Sequence, residues 1–297
     1  MSLVIPPLQL DGTRWDYQRT LIFGVLNVTP DSFSDGGRFI DLEAAIARGE
    51  ALVAAGADAL DTGGESTRPR STPVDALEEK RRVLPVLEAL SERVSVPLSV
   101  DTYKAEVARD AVSAGASIIN DVSGGTLDEA MYSVAAETGA LYIAGHLRGE
   151  PATMMDEVHF DDVVAEVEDE LRQRLRRAVV AGLPPEKLWI DPGVGFGKGE
   201  DHSLTLIAAT GRLREALGHP IMIGPSRKSF IGQLTGKGTA ERVMGTAGAA
   251  SVAIARGADA LRLHDVAELH DAVVVADAIA RAKVRAAGDP RTSAPRG

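Results

Sequence analysis

Eight times along the chain, a short apolar run stops on a polar side chain or a glycine, enters a loop, and gives way to a segment with helical apolar spacing. Continuous apolar runs mark strands buried on both faces, and the spacing after them marks amphipathic helices. The runs cover residues 21–26 before Asn27, 57–60 before Asp61, 96–100 before Asp101, 117–119 before Asn120, 140–144 before Gly145-His146, 188–190 before Asp191, 220–223 before Gly224-Pro-Ser-Arg-Lys228, and 260–263 before His264-Asp265. Helical spacing occupies residues 41–55, 75–90, 104–113, 127–137, a charged stretch ending near 180, 202–217, 240–256 and 266 to about 284. This alternation implies a parallel sheet with helices outside it. Eight units within 297 residues predict an α/β fold of the (β/α)8 TIM barrel type, with an open doubly wound sheet as the alternative topology.

Residues 8–15 precede these units and read as a short N-terminal β-hairpin around the turn Asp11-Gly12, closing one end of the core. Residues 286–297 lack apolar periodicity and read as a disordered tail to a single domain spanning residues 1–285.

The chain has no cysteine, which excludes disulfides, zinc–thiolate sites and thiol nucleophiles and leaves the chemistry to Asp, Asn, His, Lys and Arg. A net charge of −11 leaves no surplus of Lys and Arg to track the phosphates of a nucleic acid. Residues 1–10 show no signal-peptide pattern, and no later stretch reaches the length of a membrane span. The expectation is a soluble cytoplasmic protein with no nucleic-acid or membrane partner. Any anionic substrate would need a site that locally reverses the sign of the whole molecule.

In a closed barrel, Asn27, Asp61, Asp101, Asn120, His146, Asp191, the turn at residues 226–229 and His264 converge on the C-terminal mouth, where the loops carry active sites. Any one of them could be a helix cap, and Asp191-Pro-Gly taken alone reads equally as a turn bonded to its own backbone. Capping does not call for a nearly complete ring. Asp61, Asp101, Asn120 and Asp191 suit a polar heterocycle with N–H donors or a developing cation. Arg68, Lys228, Arg262 and His264, with the backbone N–H groups of residues 224–229, suit an anion. Lys228 would otherwise be a solvated surface lysine and His264 a strand-end residue bonded to backbone. Phe33 sits in a Pro/Asp/Ser/Gly loop without periodic apolar neighbours and reads as a lid residue, and Glu65 as a structural partner.

In order and spacing these segments resemble the dihydropteroate synthase family, folate-pathway enzymes inhibited by sulfonamides. Gly24-Val-Leu-Asn-Val-Thr-Pro-Asp-Ser-Phe-Ser-Asp-Gly-Gly37 is similar to the family's first loop and Gly63-Gly-Glu-Ser-Thr-Arg-Pro69 to its second. Ser99-Val-Asp-Thr102, Asn120-Asp-Val-Ser-Gly124, Asp191-Pro-Gly, Ser226-Arg-Lys228 and Arg262-Leu-His-Asp265 follow. The resemblance implies condensation of 6-hydroxymethyl-7,8-dihydropterin diphosphate with p-aminobenzoate, releasing pyrophosphate and 7,8-dihydropteroate. It implies pterin contacts from Asp101, Asn120, Asp191 and Lys228, and diphosphate contacts from Asn27, Arg68, Arg262 and His264. Asn27 would also bind Mg²⁺. Phe33, Thr67, Pro69, Phe196 and Ser229 would shape the p-aminobenzoate site, and Asp101, Lys228, Arg262, His264 and Asp35 would serve catalysis. The same resemblance implies a homodimer. The alternatives are a pterin-binding methyltransferase, which has little use for the Ser-Arg-Lys turn, Arg262-Leu-His264 or the Phe33 loop, and a non-catalytic pterin-binding paralog.

The chain departs from the family at Arg70-Ser71, where Gly is usual, at Gly145, where Met usually stands beside the pterin slot, and at Thr62 and Ser203, which replace Val and Asn. Gly145 is expected to leave more room beside the pterin. Asp191 is expected to face Lys228 and Asn120 across the mouth instead of its own backbone.

Overall fold

The protein is described by a computed structural model covering residues 5–29, 38–67, 71–156 and 158–282. Two short strands, β1 (Leu8–Leu10) and β2 (Thr13–Trp15), come first. They are followed by β3 (Leu21–Asn27), α1 (Arg38–Ala54), β4 (Ala59–Gly63), α2 (Ala76–Ser91), β5 (Leu98–Asp101), α3 (Ala105–Ser113), β6 (Ile118–Asp121) and α4 (Ala130–Thr138). The second half contains β7 (Leu141–Gly145), α5 (Val163–Val180), β8 (Leu188–Asp191), α6 (Glu200–Ala208), α7 (Thr210–Leu217), β9 (Met222–Ile223), α8 (Ser229–Thr235), α9 (Val243–Ala255), β10 (Ala260–Leu263) and α10 (Val266–Ala280).

Strands β3 to β10 are parallel in the order β8-β7-β6-β5-β4-β3-β10-β9. A parallel bridge between Ile190 and Ile221, with the Ile190 N–H donating to Pro220 O at 3.0 Å, draws the last two edges together. The result is a nearly closed barrel, and not the open doubly wound sheet.

The period of two along each strand divides the core. Leu21, Phe23, Ala59, Ile118, Leu141, Ile143, Trp189, Met222 and Ala260 form one buried cluster inside the barrel. The alternate residues Ile22, Leu60, Val100, Ile119, Tyr142, Ile190 and Leu261 belong to a second cluster, packed under the helices. The hairpin caps the inner cluster as the sequence predicts. Its Asp11-Gly12 turn has positive φ at both residues (48° and 76°), the geometry of a tight hairpin. Its Leu8, Leu10 and Trp15 join the inner cluster, and Trp15 lies 5.5 Å from Trp189 between ring centroids. Burying a side chain such as Leu8 or Leu10 contributes about 1.5–3 kcal/mol, so the plug stabilises the end of the barrel remote from the mouth.

The helix expected over residues 202–217 is instead two helices, α6 and α7, meeting at Ala209. Gly211, in the first turn of α7, lets that helix approach the α9 terminus: a Cβ there would lie 2.8 Å from the Arg256 carbonyl. Residues 286–297 lie outside the described residues.

Candidate active site

Continuing each strand in the phase of the inner cluster gives the polar groups of the mouth. Phe23 leads by twos to Asn27, Ala59 to Asp61, Ser99 to Asp101, Ile118 to Asn120, Trp189 to Asp191, and Ala260 to Arg262 and His264. Apolar residues fill the barrel, and two residues further on the same face turns polar. Pairing across the sheet sets Asn27 opposite Gly63, Gly63 opposite Asp101, and Asp101 opposite Asn120. Gly63 leaves a gap in this row: a Cβ there would lie 3.5 Å from Asp101 Cβ and 3.8 Å from Asn27 Oδ1.

Asp61 is the hub of the ring. Fully buried, it accepts from Ser99 Oγ, from Asn120 Nδ2 at 3.1 Å and from Arg262 Nε. The Nη2 of Arg262 also donates to Asp101 Oδ2 at 2.6 Å. Arg262 thus pairs with two carboxylates, and Asp61 and Asp101 outweigh burial to raise its pKa. Burial pushes the Asp101 carboxyl up to about 7, with Arg262 opposing and Asp61 and Glu79 adding to the rise. Asp61 is absent from the roles implied by the family resemblance, although its position at a strand end signals it.

Asp191 ends β8 with its Oδ1 accepting from the Gly193 N–H at 2.7 Å. This corrects the expectation that it faces only across the mouth: the turn reading and the site reading both hold, one oxygen for each. A Cβ on Gly224 would lie 4.0 Å from Asp191 Oδ2 and 3.8 Å from Arg262 Cβ, which places the second oxygen near the Arg262 sector. Burial raises the Asp191 pKa against the Gly193 N–H and the charges of Lys228 and Arg262. In the loop that follows, Gly193, Gly195 and Gly197 all have positive φ, at 69°, 78° and 59°. A Cβ at 193 would also sit 1.9 Å from the His146 carbonyl, so only glycine fits there. Phe196 packs against the small cluster of Val122, Leu147 and Met154, and the Lys228 ammonium stands 3.5 Å above the centre of its ring.

The anion sector is braced from outside. Arg227 adopts φ 57°, a strained value for a non-glycine residue, and is held by a two-pronged ion pair to Asp265 and by its N–H donating to Thr246 Oγ1 at 3.1 Å. Lys228 then caps α8, whose first residue, Ser229, is exposed. The Ser226 hydroxyl accepts from the His264 backbone N–H at 3.1 Å and lies 2.9 Å from His264 Nδ1. Burial, then Arg262 and Arg227, lower the His264 pKa to about 3, so the imidazole is neutral at pH 7. Thr67 is half-buried near the second loop. Phe33, Asp35, Arg68 and Pro69 lie outside the described residues.

His146 does not join the ring. It falls one residue out of the inner phase, since Gly145 holds the inward position, and its Nε2 meets Glu170 Oε2 of α5 at 3.0 Å. Gly145 leaves no extra room beside the slot either: a Cβ there would lie 2.5 Å from Asp121 O and 2.6 Å from Val122 Cα, because backbone leaving β6 occupies that space. Glu65 accepts from Tyr103 Oη at 2.9 Å and from Lys104, which also reaches Glu79, in keeping with a structural role.

This mouth defines a barrel enzyme whose polar floor meets a cationic wall, and comparison with known proteins identifies the class. The family described as pterin binding enzyme matches residues 23–264, and the chain belongs to that family. The dihydropteroate synthase of Synechocystis sp. is 42% identical over 263 residues, covering 88% of this chain and 91% of that protein. The mitochondrial folate synthesis bifunctional protein of Arabidopsis thaliana is 43% identical over 274 residues, and the match covers 87% of this chain and 50% of that longer protein. Among solved structures, the Xanthomonas albilineans dihydropteroate synthase with 4-aminobenzoic acid is 45% identical, with a TM-score of 0.87, over 94% of this chain and all of that one.

Proposed function

We propose that this chain is a dihydropteroate synthase, a transferase that joins a 6-hydroxymethyl-7,8-dihydropterin diphosphate to p-aminobenzoate and releases pyrophosphate. The observation that carries the reading is the in-phase ring in which Asp61, Asp101 and Asn120 face Arg262, beside Asp191, Lys228 and Phe196. The Synechocystis relative and the Xanthomonas structure carry this activity in their names, and the Xanthomonas structure holds 4-aminobenzoic acid.

In this reading the N–H groups of the pterin are bound by Asp101 and Asp191, and its acceptors by Asn120 and Lys228. An aryl amine is a weak nucleophile, so the carbon it attacks must become strongly electrophilic. The C–O bond of the methylene breaks first and its electron pair leaves with pyrophosphate. The resulting cation is spread over the electron-rich ring and stabilised by the carboxylates. The amine lone pair then forms the C–N bond, and the amine proton passes to solvent. Arg262 and His264, with Arg68 from the second loop, neutralise the departing anion. His264, neutral before substrate arrives, gains basicity once a diphosphate lies beside it. Phe196, Thr67 and Ser229, with Phe33 and Pro69, shape the p-aminobenzoate site. Asp35 in the first loop completes the residues assigned to catalysis.

Mg²⁺ fits a place at Asn27, whose amide oxygen flanks the gap left by Gly63. One protein oxygen is a sparse set, and it suits an ion that takes most of its ligands from substrate phosphates and water. When bound, the ion would screen the charge of the leaving group.

A homodimer through α9 and α10 fits the apolar residues exposed there, Met244 (75% exposed), Val275 (57%) and Ile279 (70%). Sedimentation of the chain against a Val275→Asp variant tests it: a wild-type monomer would remove the dimer. Two water-soluble substrates are compatible with a cytoplasmic location, and no helix among the described residues is long and apolar enough to cross a membrane.

The deciding assay is release of pyrophosphate that requires both substrates and yields 7,8-dihydropteroate. No release under conditions where a control synthase turns over would remove the reading. A secondary isotope effect near unity at the reacting methylene would argue against bond breaking ahead of bond making.

A further inference from the structure

Behind the loop that carries Phe196 lies a lysine to which the reading above gives no part. Lys198 is 2% exposed. Its ammonium has three acceptors for its three N–H bonds: His146 Nδ1 at 2.9 Å, the His146 carbonyl at 3.2 Å and the Phe196 carbonyl at 2.9 Å. His146 can accept at Nδ1 because its Nε2 stands against Glu170, which fixes the ring proton on Nε2. Glu170 is held in turn by Arg148, and Arg174 donates to Gly145 O at 2.6 Å and Leu147 O at 2.9 Å. One ammonium therefore joins the end of β7 to the loop after β8.

Filling space does not require a lysine here. A methionine has a similar unbranched shape, whereas burial pulls the Lys198 pKa well below that of an exposed lysine. What the ammonium adds is direction. Three glycines with positive φ make residues 193–197 permissive backbone, and its one large side chain, Phe196, sits between Lys228 and the Val122–Leu147–Met154 cluster. The Phe196 N–H donates to Gly193 O at 3.0 Å, and the Lys198 bond fixes the carbonyl on the other side of the same residue.

We infer that Lys198 is a positioning residue for the p-aminobenzoate site: by tying the Phe196 carbonyl to His146 it holds the Phe196 ring beneath Lys228. This rests on the dihydropteroate synthase reading. Both are tested with Lys198→Met, Phe196→Ala and the double variant in the full chain. In Lys198→Met, KM for p-aminobenzoate is expected to rise about 10-fold or more while KM for the pterin diphosphate moves less than about 3-fold. The double variant is expected to be no worse than Phe196→Ala, because both changes remove the same placement. Amide exchange over residues 192–198 of the ligand-free chain should accelerate in Lys198→Met. If Lys198→Met does not fold, His146→Leu, which removes one of the three acceptors, supports the same comparison. An unchanged KM for p-aminobenzoate, or an equal rise in both KM values, overturns the inference. A wild-type chain that releases no pyrophosphate overturns the function, and unaltered exchange over 192–198 would overturn the tether independently.

Discussion

Two ionic clusters stand at the C-terminal end of the barrel, and they differ in what their charges do. In front, Asp61, Asp101, Asn120 and Arg262 face the mouth in the inner phase. Behind, His146, Lys198, Glu170, Arg148 and Arg174 bind one another and loop carbonyls. Both set carboxylates against arginine. In front, burial leaves Asp101 near neutrality and its Arg262 partner shared between two carboxylates, an arrangement that an incoming heterocycle can reorganise. Behind, burial opposes ionisation of Glu170, yet bonds from His146 and Arg148 hold its carboxyl at about 2, so the charges are settled before any ligand arrives. The comparison teaches that buried charge marks a site only where its partners can be exchanged for those of a ligand.

The largest expected effect falls on the front cluster. Lys228→Ala and Asp191→Asn should each weaken binding of the pterin diphosphate by about 4 kcal/mol, on the order of 1,000-fold, with little change in the unfolding midpoint. Calorimetric titration checks this, and unchanged affinity in both variants would remove them from the slot. The back cluster should respond in the opposite way. Arg174→Ala removes the donor to two buried loop carbonyls, so a loss of about 3 kcal/mol of stability is expected with pterin affinity retained. Urea unfolding alongside titration separates the two; a stable variant that no longer binds pterin would make the division between the clusters wrong.

Acid should distinguish them further. His146 is lowered to about 3, by burial and then Lys198, as His264 is in front. Between about pH 6.5 and that value the unfolded chain binds these protons and the folded chain does not, so stability falls on acidification by about 1.4 kcal/mol per pH unit for each histidine. Asp101, raised to about 7, acts with the opposite sign between that pH and about 4, where the folded form takes up its proton first. One histidine is thus roughly offset, and His146→Gln should make the fall on acidification shallower. Thermal unfolding at several pH values reads the slope, and parallel slopes for the two proteins would count against a buried neutral His146. The smallest effect belongs to neither cluster. Thr62 points under the helices, fully buried, and its hydroxyl has no hydrogen-bond partner among the described residues. Thr62→Val should stabilise by about 1 kcal/mol without altering kinetics, and a lower melting temperature would show that the hydroxyl has a partner.

Much of this molecule can be read from its residues in order. Alternation of apolar runs with helical spacing identifies the barrel, Asp11-Gly12 the hairpin, and the polar residue closing each run the composition of the mouth. These are local signals, because strand and helix periods act over a few neighbouring residues. Phase is a different matter. Asn120 enters the slot while Asp121 turns outward to Ser123 and Tyr142, and Gly145 takes the inward position that would have brought His146 into the ring. Arg262 meets Asp61 across 201 residues of chain, Lys198 meets His146 across 52, and Gly211 packs against the Arg256 carbonyl. Local pattern specifies the number and order of the units and the chemistry available at their ends. Which polar ends face one another is set by the packed barrel, since a shift of one residue reverses the direction of a strand's side chain and its partner is supplied by another part of the chain.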